Sequence, residues 1–197
     1  MILVFLPFQF VKIIQHSKYC GQVKLNFINL LWFNNIEVPI VISYLFTVFW
    51  IVAITNAINW FDGLDGLAAG IMFILLIGLY QRSLINNDLF LIILTSTIAG
   101  SCLGFLKYNF YPANIIMGDG GSNFLGFILG IISLSASQTN NSSLSLNFAI
   151  YIVSIPLIDM LYVILRRLIN NKSPFYPDRI HLHHRLMNAG YSHKRSV

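Results

Sequence analysis

Five stretches of mainly apolar residues, approximately 38–55, 66–80, 89–106, 122–137 and 144–165, are separated only by short polar segments, and this pattern constrains the chain most. A helix needs about 20 such residues to cross a bilayer. The two shortest stretches must borrow flanking Gly, Asn or Ser to do so. Only 10% of the 197 residues are charged, against roughly 25% in an ordinary soluble domain. A water-soluble globule is therefore excluded. The expected fold is all-α: a polytopic transmembrane bundle of about five spans, preceded by an apolar stub at 1–14 that reads as a partial span. Residues 1–197 are expected to form a single membrane-embedded domain, itself partial.

Charge orients the bundle. The formal net charge is +5, and seven of the basic residues (Arg166, Arg167, Lys172, Arg179, Arg185, Lys194 and Arg195) fall in the last 32 positions. In a soluble protein such a tail would suggest nucleic acid. After several spans it reads as the positive-inside signal of a cytoplasmic segment, and no nucleic-acid partner is expected. Counting back from that tail puts segments 56–66, 107–121 and 166–197 on the cytoplasmic face and 138–143 outside. Lys12, Lys18 and Lys24 pull the other way, but they are the smaller cluster.

The three inner segments are the ones that carry chemistry. The first, Asn56-Ala-Ile-Asn59-Trp-Phe-Asp62-Gly-Leu-Asp65-Gly66, sets two carboxylates three residues apart at a membrane boundary. Charges there are costly unless a cation or a cluster of donors compensates them. The competing reading is a helix start capped by one Asp with the other solvated. The second, Gly118-Asp119-Gly120-Gly121-Ser122, precedes an apolar helix. A carboxylate in such a turn can hold Mg²⁺ while neighbouring N–H groups meet phosphate, or the segment is a plain turn with Ser122 as N-cap.

The third segment runs Asp178-Arg179-Ile-His181-Leu-His183-His184-Arg185. Zinc is a poor fit, because tetrahedral sites usually draw ligands from more than one short segment and no cysteine is near. Imidazoles and guanidiniums packed this densely suit phosphate, or else a basic stretch resting on anionic headgroups. Asp159 is the one acid inside a span, with Arg166 on nearly the same helical face, and reads as structural. Asn140 and Asn141 match a glycosylation pattern that often arises by chance. Cys20 and Cys102 form no metal or disulfide framework.

Taken in order, NAINWFDGLDGLAAG (56–70), YNFYPANIIMGDGGSNFLGF (108–127), PLIDMLYVILRRL (156–168) and SPFYPDRIHLHHRL (173–186) resemble the polyprenyl-phosphate N-acetylhexosamine-1-phosphate transferases, a membrane family that includes the WecA/TagO and MraY enzymes. The HLHHRL stretch resembles the WecA/TagO branch more. The resemblance implies transfer of N-acetylhexosamine-1-phosphate, by expectation GlcNAc-1-phosphate, from a UDP-N-acetylhexosamine to undecaprenyl phosphate. UMP is released and an envelope glycan such as O-antigen or teichoic acid is served. It implies a bacterial plasma (inner) membrane with the active face cytoplasmic, Mg²⁺ as cofactor with Mn²⁺ as a substitute, and leaves a homodimer open. Residue by residue, Asp119 matches the metal ligand, and Asp62 and Asp65 match the catalytic loop lining the uridine and metal region. Asn56, Asn59 and Asn109 match polar nucleotide support, and Gly120, Gly121 and Ser122 are expected to bind substrate beside the metal. His181, His183, His184, Arg179 and Arg185 match the phosphate-holding loop.

Two departures accompany the resemblance. The family carries an adjacent pair of aspartates in a further N-terminal region, and this sequence has no Asp-Asp. The family also usually ends with one more helix after the histidine loop. The expectation is a fragment or one piece of a split gene, and the alternative function is a non-catalytic membrane remnant or a subunit completed by another chain. Ile116 stands where the family often has a phenylalanine stacking on uracil, a loss of about 1–3 kcal/mol by analogy with base–aromatic stacking. A transporter is disfavoured, since only Asp159 lies within a span and no paired broken helices are evident.

Overall fold

The computed structural model describes residues 27–30, 33–37, 39–138 and 143–173, together with positions 187, 190 and 192. The stub at 1–14, Asn140, Asn141, Arg179, His181, His183, His184 and Arg185 lie outside the described residues. The backbone is dominated by helices α1 (Ile40–Phe61), α2 (Leu67–Ile85), α3 (Leu89–Asn109), α4 (Gly118–Ala136), α5 (Leu146–Ile152) and α6 (Ser154–Ile169). Three short strands, β1 (Phe27–Leu30), β2 (Phe33–Glu37) and β3 (Ser143–Ser145), form one small sheet in the order β2-β1-β3. β1 runs antiparallel to β2 and parallel to β3. Hydropathy alone did not announce this sheet, whose strands are short and lie between the apolar runs.

All five expected stretches are helical. By length and composition, α1 from Val41, α2 and α3 can each cross a membrane, and the bent pair α5–α6 would make a fourth span. The reason α1 is a helix is environmental. Val41, Ile42, Thr47, Val48, Ile51, Val52, Ile54, Thr55 and Ile58 are β-branched and mediocre helix formers in water. In hydrocarbon, however, every backbone N–H and C=O must be satisfied within its own segment. The outer faces agree: Leu45 is 64% exposed, Phe49 70% and Tyr151 76%, apolar surface suited to lipid.

Local chemistry sets the helix ends. Asp88 caps α3 by accepting from the Leu91 N–H at 3.0 Å, and Lys107 in the last turn complements its dipole. The last predicted stretch breaks at Val153, where α5 and α6 bend by 77°. Pro156 has no N–H to give to the Ile152 carbonyl four residues back, so the helix cannot run through.

α2 and α3 pack as an antiparallel hairpin, while α1 lies along α4 and also against α6. The core runs through Ile54, Ile58, Met72, Leu76, Leu79, Leu129, Ile132 and Val153, all essentially inaccessible. Trp50 Nε1 donates to Ser133 Oγ at 3.1 Å across the α1–α4 seam. The seam is close because Gly126 carries no side chain: a Cβ there would sit 2.7 Å from Thr55 Cα and 3.0 Å from Thr55 O. Since backbone cannot yield as a flexible side chain can, Gly126→Ala should force the helices apart at a cost of about 1–3 kcal/mol. Thermal unfolding in detergent checks this, with Gly70→Ala, which would meet nothing within 4 Å, expected to leave this seam intact.

Candidate active site

Four helix termini meet at one end of the bundle: the C-terminal ends of α1 and α3 and the N-terminal ends of α2 and α4. The connection between α1 and α2 folds tightly, with Gly63 N donating to Phe61 O at 2.8 Å and Leu67 N to Leu64 O at 3.1 Å. Gly66 then enters α2 with φ +81°, a left-handed conformation, and its N–H donates to Asn109 Oδ1 at 3.0 Å. A Cβ at Gly66 would also approach Phe110 Cδ2 to 3.1 Å, so glycine is required by both angle and space. The other half of the same amide, Asn109 Nδ2, donates to Ile115 O at 2.8 Å. The Ala113 N–H donates to Asp65 Oδ2 at 3.0 Å. Asn109 and Asp65 thus fasten the α1–α2 loop to the α3–α4 loop.

On that frame sits a polar cluster. Asn59, in the last turn of α1, donates through Nδ2 to Ser122 Oγ at 2.9 Å and, at a longer 3.4 Å, to Asp119 Oδ1. Ser122 is fully buried and its hydroxyl in turn donates to Gly118 O at 3.2 Å. Asp119 is exposed in the first turn of α4, beside exposed Gly120 and half-buried Gly121. Asp62 is half-buried at the end of α1. Its carboxyl is held above the ordinary carboxylate range, first by burial and second by the negative charge of Asp119.

Two carboxylates repel one another across a partly dry space, and their oxygens are hard donors of the kind that suit Mg²⁺ rather than zinc or copper. Among the described residues no group of three or more His, Cys, Asp or Glu is assembled as a ready-made metal cage. Mg²⁺ commonly takes only one or two carboxylates and fills its shell with water and substrate phosphate, so the donor set fits that ion. The first-turn N–H groups of α4 have no partner within the helix and point toward the same end, where an anion is favoured. Next to this end, an apolar cavity of about 230 Å³ opens between α2, α3 and α4, lined by Ala69, Cys102, Phe105, Met117, Gly121 and Phe124 among others.

Of the residues proposed from sequence, the structure gathers Asn59, Asp62, Asp119, Gly120, Gly121 and Ser122 at one place. Asn56 is exposed on α1 and its amide donates back to Val52 O at 2.8 Å. Asn109, expected as nucleotide support, is 4% exposed with both ends of its amide committed to backbone. Asp65, expected to line the site, gives at least one oxygen to the neighbouring loop. Both competing readings as simple caps fail. Gly66 caps α2 without any side-chain bond, and α4 opens at Gly118, four residues before Ser122.

Two residues escaped the sequence reading. Arg167, not Arg166, is the buried guanidinium of α6: it is 5% exposed and lies over the Trp60 ring, 5.1 Å from its centroid. The buried stripe of α6 runs Pro156, Asp159, Met160, Val163 and Arg167. Asp159 is at the edge of that stripe, so counting a face from it selected the exposed neighbour. The available signal was the four-residue step from Val163. The contact also brings the C-terminal end of α6 to the same end of the bundle as the polar cluster.

Comparison with known proteins gives the family. The model for glycosyl transferase family 4 matches residues 4–137. The chain is 44% identical over 155 residues to the probable undecaprenyl-phosphate N-acetylglucosaminyl 1-phosphate transferase of Bacillus subtilis (strain 168), covering 79% of this chain and 43% of the relative. It is 40% identical over 174 residues to the decaprenyl-phosphate N-acetylglucosaminephosphotransferase of Mycobacterium leprae, covering 79% and 44%. To the undecaprenyl-phosphate alpha-N-acetylglucosaminyl 1-phosphate transferase of Escherichia coli (strain K12) it is 32% identical over 158 residues, covering 78% and 43%. The chain spans less than half the length of these curated relatives. With the matched region reaching from the N-terminal part through the Asn59–Asp119–Ser122 cluster, this chain belongs to glycosyl transferase family 4.

Proposed function

We propose that the chain carries a sugar-nucleotide and metal site of a phosphoglycosyl transferase. That enzyme moves N-acetylglucosamine-1-phosphate from UDP-N-acetylglucosamine to undecaprenyl phosphate at the cytoplasmic face of a bacterial plasma membrane. The observation that carries this reading is the joining of Asn59, Asp62, Asp119 and Ser122 at one end of a membrane bundle. The relatives' names include the acceptor and the transferred sugar, and the UDP donor follows from the motif resemblance.

In the proposed reaction an oxygen of the lipid phosphate bonds to the sugar-bearing phosphorus of the donor. The bond from that phosphorus to the bridging oxygen breaks, and UMP leaves. Such transfers depend on positioning and on neutralising the charge spread over the phosphoryl oxygens. Asp119, with Asp62 beside it, would hold Mg²⁺, which supplies that neutralisation when bound; Mn²⁺ would substitute. Asn59 holds the Asp119 carboxylate and the Ser122 hydroxyl in register, and the first-turn N–H groups of α4 are aimed to receive phosphate oxygens. His181, His183, His184, Arg179 and Arg185 are proposed as the basic side of the site. The end of α6 at Trp60 supports this, because the chain leaves that helix at the level of the cluster. A lipid-borne acceptor accords with the apolar cavity that Gly121 helps to line.

The test is release of UMP from UDP-N-acetylglucosamine by membranes containing the full-length gene product. Release that requires both Mg²⁺ and undecaprenyl phosphate is the expected result. Release independent of the lipid phosphate, or none at all, contradicts the reading.

A further inference from the structure

The contact between Arg167 and Trp60 joins two helices at the point where the polar cluster begins. Arg167 is almost wholly buried, yet it is a permanent cation on a long side chain with considerable rotamer freedom to lose. Burying it is costly unless the guanidinium is held, and the Trp60 face, 5.1 Å away at its centroid, is one group that holds it. Trp60 follows Asn59 directly and is two residues before Asp62. Holding the indole therefore fixes the last turn of α1, the turn from which Asn59 reaches Asp119 and Ser122. That turn is the end of the helix, where the Asp62 N–H turns back to Asn59 O at 3.2 Å.

We infer that Arg167 is a positioning residue of the transferase site: by stacking on Trp60 it locks the final turn of α1, and so sets the angle at which Asn59 presents Asp119. The inference rests on the proposed function above. It assigns to α6 a role in the chemistry although the helix contributes no described side chain to the cluster itself. Arg167 acts through Asn59, so removing it should change the quality of the site more than the occupancy by nucleotide. The expected pattern is a fall in kcat per folded molecule of about 10- to 100-fold in Arg167→Ala, the range typical of groups that orient a metal's ligands, with KM for UDP-N-acetylglucosamine changed less than about twofold. Arg167→Lys keeps the charge but loses the flat stacking surface, and should recover only part of the loss. Trp60→Phe keeps an aromatic face and should stay closer to wild type.

The deciding experiment is a double-mutant cycle on the full-length chain, with UMP release normalised to folded protein and Mn²⁺ binding followed in parallel by EPR. If Arg167 works through Asn59, then Arg167→Ala added to Asn59→Ala should cost little beyond Asn59→Ala alone, and each single variant should weaken Mn²⁺ binding. Three results overturn the inference while leaving the transferase reading intact. They are wild-type kcat per folded molecule in Arg167→Ala, full recovery by lysine, or a full additional loss in the Asn59→Ala background. A wild-type chain that neither releases UMP nor binds Mn²⁺ removes the transferase reading and this inference with it. Should Arg167→Ala fail to fold, the lysine and phenylalanine variants carry the same comparison.

Discussion

Asp119→Asn is expected to lower UMP release by at least about 10²- to 10³-fold, the scale seen when one charge-stabilising group is removed from a transition state. The fold should survive. Asp119 is exposed, its contact with Asn59 is long at 3.4 Å, and asparagine keeps an oxygen that can accept it. The structural loss is confined to the favourable placement of an acid in the first turn of α4, about 0.3–1 kcal/mol for a surface charge. Circular dichroism and thermal unfolding of the variant should therefore match wild type while turnover does not. The substitution has a second signature: with the Asp119 charge gone, one of the two causes raising the Asp62 carboxyl disappears, so Asp62 should ionise at lower pH. Full turnover in Asp119→Asn would count directly against a metal role.

Asn109→Ala should produce the opposite balance, a large loss of stability with no direct loss of a substrate contact. The side chain is 4% exposed and bridges two loops, accepting from Gly66 N and donating to Ile115 O. Alanine leaves the buried Gly66 N–H without its partner, at about 1–3 kcal/mol, and gives up the bond to the more exposed Ile115 carbonyl, about 0.5–1.5 kcal/mol more. Asn109→Asp should fare poorly as well, since it keeps the acceptor for Gly66 but sets a second acceptor against the Ile115 carbonyl. Thermal unfolding in detergent reads the loss. A variant as stable as wild type but weaker only for nucleotide would restore Asn109 to the direct binding role that resemblance implied.

These two residues show where sequence reasoning reaches and where it stops. The helices were legible because lipid enforces them: any apolar run of sufficient length must satisfy its own backbone, whatever its propensity. Asn59, Asp62 and Asp119 were legible as one site because counting crossings sends their loops to the same end, and that count needs no tertiary detail. The structural role of Asn109 and Asp65 was not legible, for the converse reason. Both are polar residues at a membrane boundary, and Asp65 is followed by a glycine just as Asp62 is. Only the fold shows that their hydrogen-bonding capacity is used to fasten one loop to another. The start of α4 at Gly118 was missed because glycines are poor helix formers. Yet Ser122 is buried beneath Asn59, and that contact needs a helical turn already formed around it. Arg167 was hidden by its neighbour, since two adjacent arginines differ only in which one follows the buried stripe of α6.

Mn²⁺ EPR of the purified full-length chain with UDP-N-acetylglucosamine reads whether Asp62 and Asp119 act on one divalent ion, the claim from which the proposed chemistry follows. One Mn²⁺ per chain is expected, coupled to donor phosphorus, with binding weakened at least tenfold by Asp119→Asn and reduced by Asp62→Asn. Unchanged binding in both variants would contradict the account.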